Sequence, residues 1–339
     1  MTDVQDRALG ALTGLALGDA LGMPTQSMSR ERIGRELGPI TGLVAGPPDQ
    51  PIAPGMPAGS ITDDTEQALL VARLLVDGDG RVDAREFADA LMAWEQRMRD
   101  KGSLDLLGPS TSAAIAAIAA GGDPAEAGSG GTTNGAAMRV TPVGVAVSSS
   151  DPDALLEAVH DLSFVTHNTG LGLSAAATVA GAVSAGIDGA GLLEAIGFGL
   201  ALGRRAERLG RWVAGASIPA RAEWALRQAR TMTTAELADF LSDVVGTSVQ
   251  SQESVVSALL ITQHFRHEPF DGLCFAASIG GDTDTIAAMA GAMLGARFGD
   301  AVFPAAAVQT VVDVSGIDLT RTATELLELR GAQVHAVAP

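Results

Sequence analysis

An all-α fold follows from three observations on this chain. Apolar residues recur at helical spacing through most of its length, strand-like alternation is scarce, and the Gly- and Pro-rich stretches fall between the periodic segments. No repeat of fixed period and no shift of composition marks a linker, so residues 1–339 read as one domain. An apolar fraction of 47 % suffices for a sizeable core. With 41 Gly, nine Phe, three Trp and no Tyr, that core is one of closely packed small and aliphatic side chains.

From the N-terminus, Arg7 to Leu21 carries Leu9, Leu12, Leu15, Ala16 and Ala20 at helical spacing. Pro39 to Ser60 holds Pro39, Pro47, Pro48, Pro51, Pro54 and Pro57 with several glycines and must be a long loop, of the kind that is often functional. Helical patterns follow at 65–77, 84–99, 110–120, 152–161, 170–185, 190–206, 219–229, 234–245, 251–265 and 284–298. Val140 to Val145 is apolar, but Pro142 speaks against a central strand. Gly170 to Gly203 is the most membrane-like stretch. Asp188, Glu194, Gly181, Gly186 and Gly189 interrupt it and it lacks aromatic or basic flanks, so two buried helices joined near Asp188 account for it better, and no membrane partner is expected.

The 22 Lys and Arg against 40 Asp and Glu leave a net charge of −18, which argues against binding nucleic acid through its phosphates. An acidic ligand must then meet a local site of backbone N–H groups, helix N-termini or bound cations. The single cysteine, Cys274, lies in an apolar stretch and reads as an inert buried thiol. The acidic N-terminus lacks the basic start of a signal peptide, and a cytoplasmic location is expected.

Two acidic clusters carry most of the chemistry: Ser60-Ile61-Thr62-Asp63-Asp64-Thr65 and Gly280-Gly281-Asp282-Thr283-Asp284-Thr285, each just ahead of an apolar helix-like run. Asp and Thr in that position are ordinary helix caps. Capping needs one such oxygen, however, and the second cluster presents Asp282, Asp284 and Thr285 within four residues after a glycine pair that allows a sharp turn. Carboxylate and hydroxyl oxygens are hard ligands suited to Mg²⁺, Mn²⁺ or Ca²⁺. Two clusters brought together by folding would hold a pair of cations roughly 3.5–4 Å apart. A third segment, Gly128 to Arg139, is a Gly-rich loop with short hydroxyls, suited either to phosphate oxygens or to a flexible linker; no Gly-Lys-Ser/Thr follows, so it is not a Walker sequence. Thr166-His167-Asn168-Thr169 is a polar tetrad before an apolar run, and the remaining histidines lack zinc spacing.

These pieces in this order resemble the ADP-ribosylglycohydrolase family. The match rests on Gly14 to Pro24, Thr62 to Thr65, Thr133 to Arg139 and Gly281 to Thr285, and so spans most of the chain. The resemblance implies a single compact orthogonal all-α domain with a binuclear Mg²⁺ or Mn²⁺ cleft. By matching motifs, Thr62, Asp63, Asp64, Asp282, Asp284 and Thr285 would ligate two ions, with Asp63 or Asp282 moving the proton. Ser129, Gly131, Thr132 and Asn134 would cradle the diphosphate of ADP-ribose, with His167 near the ligand. The implied reaction removes ADP-ribose from an acceptor, so ADP-ribose or an ADP-ribosylated substrate is the expected partner.

Two departures stand out. Relatives commonly carry a glutamate where this chain has Gln26, and an amide cannot act as a general base at neutral pH; Glu31 or Glu66 are replacement candidates. The Gly-rich loop has no aromatic to stack an adenine, leaving Phe164, Trp212 or Phe270 as substitutes. Two alternatives stay open beside the ADP-ribosyl hydrolase: a binuclear hydrolase of another ribosyl- or phosphate-containing metabolite, and a non-catalytic ADP-ribose-binding relative.

Overall fold

The computed structural model describes residues 3–104 and 106–337; among them every regular element is helical, and the β pairings are three isolated bridges. The first half of the chain runs α1 (Val4–Gly22), α2 (Arg30–Glu36), α3 (Asp63–Asp77), α4 (Ala84–Asp100), α5 (Pro109–Ala119), α6 (Pro124–Ala127), α7 (Gly135–Met138), α8 (Thr141–Ala146) and α9 (Pro152–His167). The second half runs α10 (Gly170–Ile187), α11 (Leu192–Ala206), α12 (Ile218–Gln228), α13 (Thr234–Phe240), α14 (Ser251–His264), α15 (Pro269–Ala276), α16 (Thr283–Phe298), α17 (Ala305–Ser315) and α18 (Leu319–Val337). The all-α expectation holds. One contiguous cluster of buried apolar side chains extends from Ala8 to Leu326.

Local chemistry accounts for most helix starts. Asp3, Ser29, Asp83 and Asp151 each accept a first-turn N–H with their side chains. The apolar Val140–Val145 segment forms α8, because Pro142 sits in its first turn, where a missing N–H costs nothing. The predicted helix at 234–245 is α13 followed by one π turn, Leu241–Val245, that stops at Gly246 with φ of +91°. The short, charged α2, and α15, α17 and α18, lie outside the helical patterns read from the sequence, although Leu319, Ala323 and Leu326 of α18 are buried at helical spacing.

At the centre, α1 and α16 lie antiparallel with their backbones in contact. Gly10, Gly14, Gly18 and Gly22 recur every fourth residue and so share one face of α1. A Cβ on Gly14 would stand 2.0 Å from the Gly291 carbonyl oxygen, one on Gly18 2.2 Å from that of Ala287, and one on Gly22 2.4 Å from Asp284 Cα. From the other side, a Cβ on Gly295 would stand 1.8 Å from the Gly10 oxygen. Both helices are buried over most of their length, which puts Asp19 of α1 beside the first turn of α16. The membrane-length helix α10 is buried along its whole length, and Gly181 and Gly199 bring it as close to α11.

Gly14→Ala is expected to destabilise the protein by at least about 1–3 kcal/mol, because the new methyl meets backbone that cannot move aside. Gly34→Ala, in α2 with nothing near its Cβ position, should be neutral or stabilising by up to about 1 kcal/mol. Urea unfolding of the two variants checks this; equal stabilities would contradict the rigid α1–α16 contact.

Candidate active site

The first acid cluster is held by a residue from α1. Asp19 is fully buried, and its carboxylate accepts the backbone N–H groups of Thr62 (3.0 Å) and Thr65 (3.1 Å) and the hydroxyls of Thr62 (2.8 Å) and Thr65 (2.5 Å). It therefore closes the N-terminus of α3 from outside the helix. Burial raises its carboxyl to about 6, against the pull of those hydrogen bonds. Thr62 is the N-cap of α3, so the capping role of this segment is realised, and Asp63 and Asp64 follow in the first turn.

The second cluster comes off the glycine pair. Gly280 and Gly281 both have positive φ, +80° and +83°, and a Cβ on Gly281 would meet the Thr247 oxygen at 2.3 Å. This turn pairs Gly281 with Met28 and aims Asp282, Asp284 and Thr285 toward α3. The clusters meet directly: the Thr285 hydroxyl donates to Asp64 Oδ2 at 3.2 Å across 221 positions of sequence. Asp64 is held well above the usual carboxylate range, first by burial and then by the charges of Asp284, Asp63, Asp19 and Asp282. Its Oδ1 is buried with no hydrogen-bond partner.

A cleft of about 260 Å³ opens over this cluster, with Asp63, Asp282, Asp284 and Thr285 in its lining and Thr133, Asn134, Gly135 and Met138 in the wall contributed by the Gly-rich loop. Asn134 ties that wall to the second cluster by donating to Asp282 Oδ2 at 2.5 Å and to Ser254 Oγ at 3.0 Å. Of the other predicted ligands, Thr62 faces a neighbouring hollow of about 400 Å³ that shares Ile52 and Leu104 with the cleft, and Asp64 lies beneath it. Ser129, Gly131 and Thr132 stand outside the cleft lining. A Cβ on Gly131 would meet the Thr166 oxygen at 2.2 Å and one on Gly128 the Phe164 oxygen at 2.1 Å, so these glycines serve the close approach of the end of α9. His167 is fully buried behind the loop, bonded to Thr133 Oγ1 (3.1 Å) and Thr166 Oγ1 (2.8 Å), and is held neutral by burial and the nearby Arg139 charge.

Gln26 lines the cleft and is 6 % exposed, with its Nε2 unpartnered, while its backbone oxygen accepts from Gln50 Nε2 at 2.8 Å. Gln50 also takes the Ile52 N–H at 2.5 Å, which moulds the Pro-rich loop against the cleft. Glu66 opens on the neighbouring hollow, its carboxylate fixed by the Trp94 indole N–H at 2.5 Å, whereas Glu31 is exposed on α2. Phe164, Trp212 and Phe270 are not among the cleft residues. Sequence reasoning missed Asp19, Gln67 and the depth of Arg139; a lone Asp inside an apolar glycine helix was the available signal for the first.

Among the described residues no three Asp, Glu, His or Cys side chains close on a common point. The donor set nevertheless suits hard cations: it is all oxygen, crowded with carboxylates, and includes the orphaned Asp64 Oδ1.

The chain matches the ADP-ribosylglycohydrolase family over residues 1–335. It belongs to that family. YegU of Escherichia coli (strain K12) is 35 % identical over 327 residues, 96 % of this chain and 97 % of that protein. The ADP-ribosyl-[dinitrogen reductase] glycohydrolase of Rhodospirillum rubrum is 28 % identical, covering 87 % of each chain. The ADP-ribosylarginine hydrolase Tri1 of Pseudomonas putida (strain GB-1) is 27 % identical over 90 % of this chain and 74 % of its own. A solved ADP-ribosylglycohydrolase-related protein complex superposes with a TM-score of 0.71 at 26 % identity, covering 97 % of this chain and 99 % of that one. As an ADP-ribosylglycohydrolase-family protein, the chain is a hydrolase of the glycosidic-bond class.

Burial raises the Asp282 carboxyl to about 6, against the hydrogen bond from Asn134. A carboxyl whose folded pKa lies above its unfolded value favours folding at low pH, and that contribution is lost as pH rises through about 6. In EDTA, Asp282→Asn should therefore melt above wild type near neutral pH, and the difference should close as pH falls from about 6 toward 3.8. Melting curves across that range check it; a difference that widens at low pH would contradict the ionised, buried carboxylate.

Proposed function

We propose that this protein removes ADP-ribose from an acceptor by hydrolysing the bond at the anomeric carbon of the distal ribose. The observation that carries the reading is the Thr285–Asp64 contact at 3.2 Å, which joins the two acid clusters at the base of a cleft walled by the Gly-rich loop. The family match and the relatives named for ADP-ribosyl hydrolysis support the substrate class.

Thr62, Asp63, Asp64, Asp282, Asp284 and Thr285 would hold two divalent cations, Mg²⁺ or Mn²⁺, in line with the general metal dependence of the family. When bound, such cations lower the pKa of a coordinated water and offset the repulsion among the carboxylates. Asp63 and Asp282 line the cleft and serve as proton carriers: one takes the proton of the attacking water, and a proton is returned to the acceptor atom as its bond to the sugar breaks. The surrounding carboxylates stabilise the cation-like sugar between bond breaking and bond making. Asn134 contacts the ligand directly, whereas Ser129, Gly131 and Thr132 shape the loop from outside and His167 holds it from behind.

Gln26 places a neutral amide where its Nε2 can meet a ligand oxygen. That favours a second reading, in which the same site takes another ribosyl- or phosphate-containing metabolite. The contiguous core supports residues 1–339 acting as one domain, and the single buried thiol and the buried α10 support a cytoplasmic location.

Calorimetric titration of ADP-ribose is expected to show binding with Mg²⁺ or Mn²⁺ and its loss in EDTA. Asp282→Asn should lower turnover of ADP-ribosylated substrate by about 10²-fold or more. Absence of ADP-ribose binding with either metal would overturn the substrate class, and wild-type turnover by Asp282→Asn would overturn the assigned proton carriers.

A further inference from the structure

Behind the cleft lies a buried cation that the proposed chemistry does not use. Arg139 is fully buried, and its hydrogen bonds go to an amide and two hydroxyls rather than to a carboxylate: Nη1 donates to Gln67 Oε1 at 2.8 Å and Thr111 Oγ1 at 3.4 Å, and Nη2 donates to Thr166 Oγ1 at 2.6 Å. Its guanidinium lies over the Phe87 ring at 5.1 Å. Burying a guanidinium without a directly paired anion is costly, so this arrangement needs a reason in what it holds.

Two chains of hydrogen bonds leave Arg139, and each ends on a residue that lines the cleft. In the first, Gln67 accepts from Arg139 with its oxygen and donates from Nε2 to Asp63 Oδ2 at 2.8 Å. Gln67 stands four residues after Asp63 on α3, the spacing that makes helix neighbours, and it is fully buried. In the second, Thr166 accepts from Arg139 and so has its own hydrogen to give to His167 Nδ1 at 2.8 Å. The imidazole then carries its proton on Nε2 and donates to Thr133 Oγ1 at 3.1 Å, in the wall of the cleft. An arginine can serve both chains at once because its donors form a rigid planar fork, which a lysine lacks.

We propose that Arg139 is a positioning residue that sets both walls of the cleft, orienting the Asp63 carboxylate through Gln67 and the Gly-rich loop through Thr166 and His167. This rests on the ADP-ribosyl hydrolase reading. The two chains make the assignment separable: the Gln67 branch governs turnover and the Thr166 branch governs ADP-ribose affinity.

Gln67→Glu is the decisive variant. It keeps an acceptor for Arg139 but replaces the donor to Asp63 with a second carboxylate, so a purely structural role would leave activity intact. The melting temperature in EDTA is expected to match or exceed wild type. ADP-ribose affinity measured at saturating Mn²⁺, which offsets any weaker metal binding at Asp63, should stay near wild type, and kcat on an ADP-ribosylated peptide should fall by about 10²-fold, the scale of a misplaced reacting group. Thr166→Val, close in shape, should instead weaken ADP-ribose binding by about tenfold with kcat preserved. Arg139→Lys should move both quantities; if it fails to fold, the two branch variants still decide the matter. Wild-type kcat in Gln67→Glu, or a parallel loss of kcat and affinity in both branch variants, overturns the assignment alone. A wild-type protein that binds no ADP-ribose with Mn²⁺ overturns the functional reading, and the assignment falls with it.

Discussion

The rest of the structure depends on the contact of α1 with α16, where glycines at every fourth position let two backbones touch. At that distance a side chain on either helix has nowhere to go, so the register of the pair is set by where Cβ atoms are missing. The register places Asp19 next to the start of α16, and Asp19 in turn gathers the amides and hydroxyls at the start of α3. Two segments more than two hundred residues apart thus meet because one helix presents a groove and one carboxylate.

The site is an exercise in crowding like charges. Asp19, Asp64 and Asp282 are all pushed above the ordinary carboxylate range, and in each case burial is the largest cause. Hydrogen bonds relieve Asp19 and Asp282, but Asp64 has the charges of four other carboxylates against it and one oxygen with no partner. Protein donors alone leave that cluster under-compensated, which is why the oxygen-rich set points to hard cations. Arg139 is a counter-charge linked to the cluster through Gln67. Burial lowers its guanidinium to about 10 while the charge of Asp63 pulls it back up, the two groups communicating across Gln67.

The Gly-rich loop shows how one composition serves two demands. Gly128 and Gly131 are small because the carbonyls at the end of α9 crowd them, whereas Thr133, Asn134 and Gly135 form a wall of the cleft. His167, a candidate ligand contact by motif, supports that wall from the interior through Thr133. Sequence spacing locates such a loop but does not say which of its residues face inward, since that depends on how the neighbouring helix end lies against it.

Read alone, the chain specified what is local: helical periodicity, the long Pro-rich loop, two helices meeting near Asp188, of which α10 is buried throughout and α11 on one face only, and two acidic helix starts, of which only the first is capped by a side chain. Those features follow from short-range propensity and burial, so a few residues suffice to define them. The pairing of the acid clusters was suggested by motif order, but its physical cause, the glycine face of α1, emerged only when both helices were in place. Which side chain reaches the cleft was likewise decided by packing: Asn134 and Gln26 line it, Ser129 and His167 do not. The buried roles of Asp19, Gln67 and Arg139 were beyond the sequence for the same reason. A polar residue in an apolar run acquires its partner from a distant segment, and tertiary structure alone brings that segment within hydrogen-bonding distance.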